Sequence, residues 1–88
     1  MSGQRRVVAN EEVAEIVAEI PSGHEHLRTT LRLTDGTELL LQEATVANLV
    51  RAYVAVKTHP TRTSVRLVGR RVSGRKAGYA EWQAVEEG

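Results

Sequence analysis

The chain has 88 residues, 41% of them apolar, no cysteine and a formal net charge of +1 at pH 7. This length allows one small domain, and the lack of cysteine excludes disulfides, cysteine-ligated zinc and thiol nucleophiles from this chain. No apolar run approaches the roughly 18–20 residues of a membrane span. We therefore predict a cytoplasmic protein with no membrane contact, in which residues 1–9 are a flexible N-terminus and residues 10–88 form a single domain.

The N-terminal element, "NEEVAEIVAEIPSG", fits two structures. As a helix it has Asn10 as N-cap and an apolar face at helical spacing within residues 11–20. As a strand it places every second residue from Ala14 to Ile20 on one face. Pro21 ends either element, because proline disfavours helical geometry in the residue before it. The pattern leaves both alternatives open.

The segment "HLRTTLRLTDGTELLLQEA" predicts a β-hairpin, because apolar and polar residues alternate on both sides of an Asp-Gly turn. A two-residue loop would pair leucines with charged residues. A three-residue loop, Thr34–Gly36 with Gly36 left-handed, instead sets Leu31 opposite Leu39 and Arg32 opposite Glu38. We predict the second register because it separates apolar from charged side chains.

The segment "ATVANLVRAYVAVKTHP" predicts a helix. Thr45 is a suitable N-cap, Pro60 stops the helix, and Arg51 projects from the side opposite the apolar face. That apolar face is expected to pack on the sheet, and it contains Val46, Leu49, Val50, Tyr53 and Val54.

The C-terminal segment "VRLVGRRVSGRKAGYAEWQAV" predicts two further strands joined by a loop over 73–78. Gly69 suggests a β-bulge at Gly69-Arg70, and Trp82 alternates with alanines and is expected in the core. The predicted fold is α+β: a small single domain with an antiparallel sheet of four or five strands and one central helix packed on it. The N-terminal element is either another strand or a second helix.

Charge is segregated along the chain. Residues 1–43 carry four basic and eight acidic side chains, residues 44–80 carry eight basic and no acidic ones, and residues 81–88 carry three glutamates. The resulting net charges of −4, +8 and −3 are typical of a protein with a polyanion-binding face or a self-complementary surface. We call the six basic residues around the last two strands the basic patch: Arg62, Arg66, Arg70, Arg71, Arg75 and Lys76.

The basic patch has a functional and a structural interpretation. The planar arginine guanidinium matches phosphate oxygens, and Tyr79 and Trp82 lie near enough in sequence to stack on bases. Alternatively, the arginines pair with glutamates such as Glu81, Glu86 and Glu87 on a solvated face. No known nucleic-acid motif is present in the sequence.

Other chemistry has little support. His24 and His26 are two residues apart and would share one side of a strand, but loop histidines are usually polar surface residues, so we predict no metal site and no cofactor. No serine or threonine stands in a recognisable nucleophile motif, so we expect no enzymatic activity.

The leading hypothesis is therefore a non-catalytic binding protein whose basic patch contacts nucleic-acid phosphates without reading sequence. The alternative is a protein-interaction module, a regulatory or accessory subunit, whose cationic face meets an acidic protein and which has no nucleic-acid role. If the N-terminal segment is a helix, its acidic face can meet the basic hairpin of a second copy to form a homodimer, with outer-face contacts from Leu40, Val68 and Val85. The alternative is a monomer with scattered apolar surface residues.

Overall fold

A computed structural model describes residues 3–74 and 81–87 of the chain. The chain divides into two compact units, residues 1–42 and residues 43–88. Among the described residues, no helix is long and apolar enough to cross a membrane. The elements in chain order are a 3-10 turn (Asn10–Glu12), β1 (Val13–Glu19), β2 (Arg28–Leu33), β3 (Glu38–Gln42), α1 (Glu43–Lys57), β4 (Leu67–Arg71) and β5 (Trp82–Glu86).

The first unit is a three-stranded antiparallel sheet with the order β1-β2-β3. The ambiguous N-terminal element is a strand, since β1 pairs with β2 from Glu15 opposite Arg32 to Glu19 opposite Arg28. A β-bulge interrupts this pairing between Val13 and Glu15. Pairing with β2 satisfies backbone groups that a helix would satisfy internally, so the neighbouring strand decides between two patterns that fit the sequence equally.

The predicted hairpin register is confirmed. Leu31 lies opposite Leu39, and Arg32 lies opposite Glu38. Gly36 has φ 91°, and its N–H donates to the Leu33 carbonyl at 3.0 Å. A left-handed conformation at the third loop position costs glycine no steric strain, which explains the three-residue loop.

An arginine connects all three strands on the charged face of this sheet. Arg32 in β2 lies 3.1 Å from the Glu15 carboxylate in β1 and 3.4 Å from the Glu38 carboxylate in β3. All three side chains are about half exposed, so each pair is worth at most about 1 kcal/mol. The next row on this face is apolar at both edges, with Val17 and Leu40 flanking the strand β2.

The second unit contains α1 and a two-stranded antiparallel ribbon, β4-β5. The expected single sheet of four or five strands is therefore not confirmed, because the five strands form two separate sheets. The expected bulge at Gly69-Arg70 is wrong: pairing runs without interruption from Leu67 opposite Glu86 to Arg71 opposite Trp82. The prediction of one domain over residues 10–88 stays a prediction.

Few side chains are fully buried. Among the described residues, only Thr29, Leu33 and Ala84 fall in the buried class, with exposures of 8%, 3% and 4%. Many large apolar side chains are instead accessible to solvent. This leaves apolar surface on both units, and the arrangement of that surface is more informative about function than the small core.

Candidate functional site

The basic patch is only partly within the described residues. Arg62, Arg66, Arg70 and Arg71 can be placed, whereas Arg75 and Lys76, together with Tyr79, lie outside the described residues. Arg70 and Arg71 belong to β4, and Arg66 immediately precedes this strand. Arg62 lies in the connection between α1 and β4.

Three of the placed arginines contact glutamates at or next to β5. Arg62 bonds to Glu86 and Arg70 bonds to Glu87. Arg71 lies 3.7 Å from Glu81, with a side chain that is 83% exposed. Ion pairs of this kind neutralise much of the local positive charge, which is the structural interpretation that the sequence left open.

Strand alternation places the arginines on different faces of the ribbon. Arg70 pairs with Gln83 and Arg71 pairs with Trp82, so their side chains point to opposite sides. Arg66 is exposed and makes no ion pair with another described residue. The structure therefore does not bring all four placed arginines onto one face of the ribbon, since Arg66 and Arg70 share a face and Arg71 lies on the other.

Arg62 also has a local structural role. Its Nε donates to the Ser64 carbonyl at 3.0 Å, and its backbone N–H donates to His59 Nδ1 at 2.8 Å. The same histidine nitrogen accepts from Thr61 N–H at 3.2 Å. These bonds fix the connection that follows α1, so Arg62 is held at 31% side-chain exposure and is less available to a ligand than its charge suggests.

Helix α1 packs on the ribbon with the side that the sequence did not favour. Its contacting side carries small and polar residues, among them Thr45, Asn48 and Ala52, which line a pocket together with residues of the ribbon. Arg51, expected to project away, donates from Nη2 to the Ala84 carbonyl of β5 at 2.9 Å. This hydrogen bond joins the helix to the ribbon, and the pocket lies between the two.

The apolar face of α1 is consequently exposed. We call its four most accessible large residues the helix stripe, and they are Leu49, Val50, Tyr53 and Val54, with exposures of 57%, 57%, 64% and 46%. Their i, i+1, i+4, i+5 spacing places them together on one side of the helix. The sequence identified these residues correctly as one face but assigned that face to the core.

A pocket of about 280 Å³ adjoins the helix stripe. Leu49 belongs to both, and the ribbon contributes Leu67, Gly69, Trp82 and Ala84. The Trp82 indole lies over Gly69, so close that a Cβ at position 69 would fall 2.6 Å from Trp82 Nε1. Trp82 is 37% exposed and forms part of the pocket wall, so it is not the fully buried core residue that its alternation with alanines predicts.

The histidines do not form a described metal site. His24 lies in a turn that begins at Pro21, with its N–H donating to the Pro21 carbonyl at 3.0 Å, and His26 is an exposed residue of the same connection. His59 belongs to the second unit. Within residues 3–74 and 81–87, no group of three or more histidine, aspartate or glutamate side chains is placed to hold a metal ion.

Comparison with known proteins gives no relative to reason from: no protein-family model, no curated protein and no solved structure matches this chain.

Proposed function

We propose that this chain is a non-catalytic binding module that contacts an apolar segment of another protein through the helix stripe and the adjoining pocket. The observation that carries the proposal is the outward orientation of the stripe on a helix that already packs against the ribbon with its other side. Contiguous apolar side chains on a small domain are typical of protein-interaction sites.

The size of the contact can be judged from Tyr53. An aromatic side chain offers roughly 150–250 Å² for burial, and Tyr53 exposes 64% of its surface. Burial of its exposed part would remove roughly 100–150 Å² from water and contribute about 3 kcal/mol before the costs of association. Tyr53 would therefore be the main anchor of the interface, with Leu49, Val50 and Val54 around it.

The pocket gives the surface a concave part beside this anchor. Its volume of about 280 Å³ and its lining of Leu, Ala, Gly and Trp side chains suit one apolar side chain of the partner. Asn48 is a polar group at the same site. Its Nδ2 donates to the Ala44 carbonyl at 2.8 Å, and its side-chain oxygen can accept a hydrogen bond from a partner's N–H.

Site-specific photocrosslinking in cells that express the protein tests the proposal. A benzoylphenylalanine at the Tyr53 position should give a discrete adduct that protease destroys and nuclease does not. The matched control has the same residue at the exposed Thr63 position, away from the helix stripe. Binding of the identified partner to purified protein should then weaken about 10- to 100-fold in Tyr53→Ser, as expected for loss of a hot-spot residue.

Two results would contradict the proposal. One is equal crosslinking from positions 53 and 63, which would indicate nonspecific contact. The other is a purified complex whose affinity is unchanged by Tyr53→Ser. A nuclease-sensitive adduct would instead favour the second candidate function.

That second candidate is phosphate binding by the basic patch, and the +8 net charge of residues 44–80 favours it. Arg66 would lead the contact, since it is exposed and makes no ion pair with another described residue. Arg75 and Lys76, which lie outside the described residues, would add to it. Fluorescence anisotropy with labelled DNA and RNA at several salt concentrations measures it. Arg66→Gln should lower the log–log salt slope by about 0.9 on duplex or 0.7 on single strands, one phosphate's share. The paired Arg62→Gln should change it less, and no binding at low salt would reject this candidate.

A further inference from the structure

The two outer edges of the three-stranded sheet differ in their protection against further strand pairing. β1 has a bulge between Val13 and Glu15, and its sequence contains two glutamates, Glu15 and Glu19. Bulges and charged residues are the usual means by which edge strands avoid new partners. β3, Glu38–Gln42, has no bulge and a single charged residue, Glu38, at its first position, and its centre is three consecutive leucines.

The free edge of β3 is also accessible. Among the described strands β3 pairs only with β2. Leu40 is 61% exposed and Leu39 is 43% exposed. An edge strand of this composition with open backbone groups is a template for another strand.

The hairpin geometry identifies which backbone groups point outward. The Leu33 N–H donates to the Thr37 carbonyl at 2.8 Å, so Thr37 directs its backbone groups toward β2. In an antiparallel ladder this direction alternates along the strand. The backbone N–H and C=O groups of Glu38 and Leu40, and the N–H of Gln42, therefore face away from β2, toward any added strand. The Gln42 carbonyl precedes α1 and accepts the first hydrogen bond of that helix.

We propose that β3 pairs antiparallel with β3 of a second copy of this chain, about a two-fold axis at Leu40. In this register Leu40 lies opposite Leu40 of the second copy, Leu39 lies opposite Leu41 of the second copy, and Glu38 lies opposite Gln42 of the second copy. Directly opposite residues share a face, so every leucine meets a leucine and no two carboxylates oppose each other. The product is a continuous six-stranded antiparallel sheet.

Neighbouring registers are less favourable. A two-fold axis at Leu39 places Glu38 opposite Leu40 of the second copy and draws the Asp35-Gly36 turn into the pairing. An axis at Leu41 places Leu39 opposite Glu43 of the second copy, where α1 has already begun. Only the axis at Leu40 uses all five residues of β3 and keeps leucines together, and this self-complementarity is the reason for choosing a second copy as the occupant.

Five paired residues per strand form a small interface, so the dimer belongs to the weak class that depends on concentration. Sedimentation equilibrium between about 10 μM and about 1 mM measures it, and the apparent mass should rise from that of one chain toward twice that value. Leu40→Lys opposes two positive charges at the two-fold axis and should keep the mass at that of one chain. Val17→Lys is the matched control, since it places the same charge on the same face but on β1, and should leave the mass increase unchanged.

Cysteine crosslinking tests the register directly, because the chain has no cysteine of its own. A hydrogen-bonded antiparallel pair has Cα atoms about 5.5 Å apart, inside the disulfide range of about 4.4–6.8 Å. Under mild oxidation Leu40→Cys should form a disulfide-linked dimer, and Val17→Cys should form much less at the same concentration. A monomer at all concentrations, a dimer that survives Leu40→Lys, or equal crosslinking at both positions would overturn the proposal.

This pairing is independent of the function proposed for the helix stripe. Tyr53→Ser lies in the second unit and should not alter the concentration dependence of the mass. If Tyr53→Ser abolishes the dimer, the two copies contact through α1 and the β3 proposal is wrong. If partner binding fails while Leu40→Lys still prevents dimer formation, the β3 proposal stands alone.

Discussion

Gly69→Ala is the substitution whose effect follows most directly from a distance in this structure. The added Cβ would lie 2.6 Å from Nε1 of Trp82, 3.1 Å from Cε2 and 3.2 Å from Cζ2. Ordinary van der Waals contact begins near 3.4 Å, so the indole must retreat by roughly 0.8 Å or rotate out of the pocket wall. Because Trp82 is 37% exposed, rotation toward solvent is open to it.

The energetic cost is the difference between two effects. Overpacking costs about 1–3 kcal/mol, whereas alanine in a strand interior is favoured over glycine by roughly 0.5–1 kcal/mol. The net destabilisation should be about 1 kcal/mol, or a decrease of roughly 0.5–1 M in the urea midpoint at an m-value typical of a small protein.

Trp82 is the sole tryptophan of the chain, so its fluorescence reports the displacement without interference from another indole. Gly69→Ala should shift the emission to longer wavelength and increase quenching by iodide. Gly3→Ala is the control, because nothing lies within 4 Å of a Cβ at position 3. Unchanged emission and quenching in Gly69→Ala would refute the placement of the indole over Gly69.

Three further substitutions test single interactions. The Thr37 backbone N–H donates to the Asp35 carboxylate at 2.8 Å and lowers the pKa of Asp35 from its usual 3.8. The ionised carboxylate therefore stabilises the fold above about pH 3.8, and this stabilisation is lost as pH falls through the lowered pKa. Asp35→Asn should destabilise the protein at pH 7 and destabilise it less in acid, as measured by titrations followed by circular dichroism. Arg32→Gln removes the bridge between two glutamates and should cost about 1 kcal/mol in urea unfolding at low salt, less at high salt. Arg51→Ala removes the charged donor to the Ala84 carbonyl and should cost about 1–2 kcal/mol in the same assay, with no such salt dependence.

The sequence predicted the features that depend on neighbours along the chain. Turn chemistry at Asp35-Gly36 and the alternation on both sides of it were sufficient for the correct register of β2 and β3. Helical spacing and Pro60 located α1, which begins at Glu43, two residues before the predicted cap Thr45. Local pattern could not decide whether residues 13–19 form a helix or a strand, because pairing with β2 determines the outcome.

The sequence named Glu81, Glu86 and Glu87 as candidate partners of the arginines but did not indicate which arginine each would contact. The glutamates that contact Arg62 and Arg70 come from 24 and 17 residues further along the chain, brought close by pairing of β4 with β5. The loop between these strands has no sequence signal for that register, and the unrealised bulge at Gly69 would have changed it. Among the described residues, ion pairs with these glutamates therefore offset part of the positive charge that the sequence concentrates in residues 44–80.

The side of α1 that faces the ribbon also could not be predicted from the local sequence pattern. Hydrophobic periodicity predicts that the apolar side of a helix faces the core. Here small residues of α1 such as Ala52 face the ribbon across a pocket that Gly69 and Ala84 also line. The Arg51 hydrogen bond to the Ala84 carbonyl joins the helix to the ribbon, while Leu49, Val50, Tyr53 and Val54 stay exposed.

Thiol reactivity across the second unit tests the central claim, because single cysteines can be introduced into a chain that has none. In dilute purified protein, Leu49→Cys, Tyr53→Cys and Val54→Cys should react with a small alkylating reagent at rates near that of a free thiol, whereas Ala52→Cys should react more slowly and the buried Ala84→Cys slowest. Slow modification at 49, 53 and 54, comparable with position 84, would mean that the chain covers the helix stripe itself, and the proposed partner site would not exist.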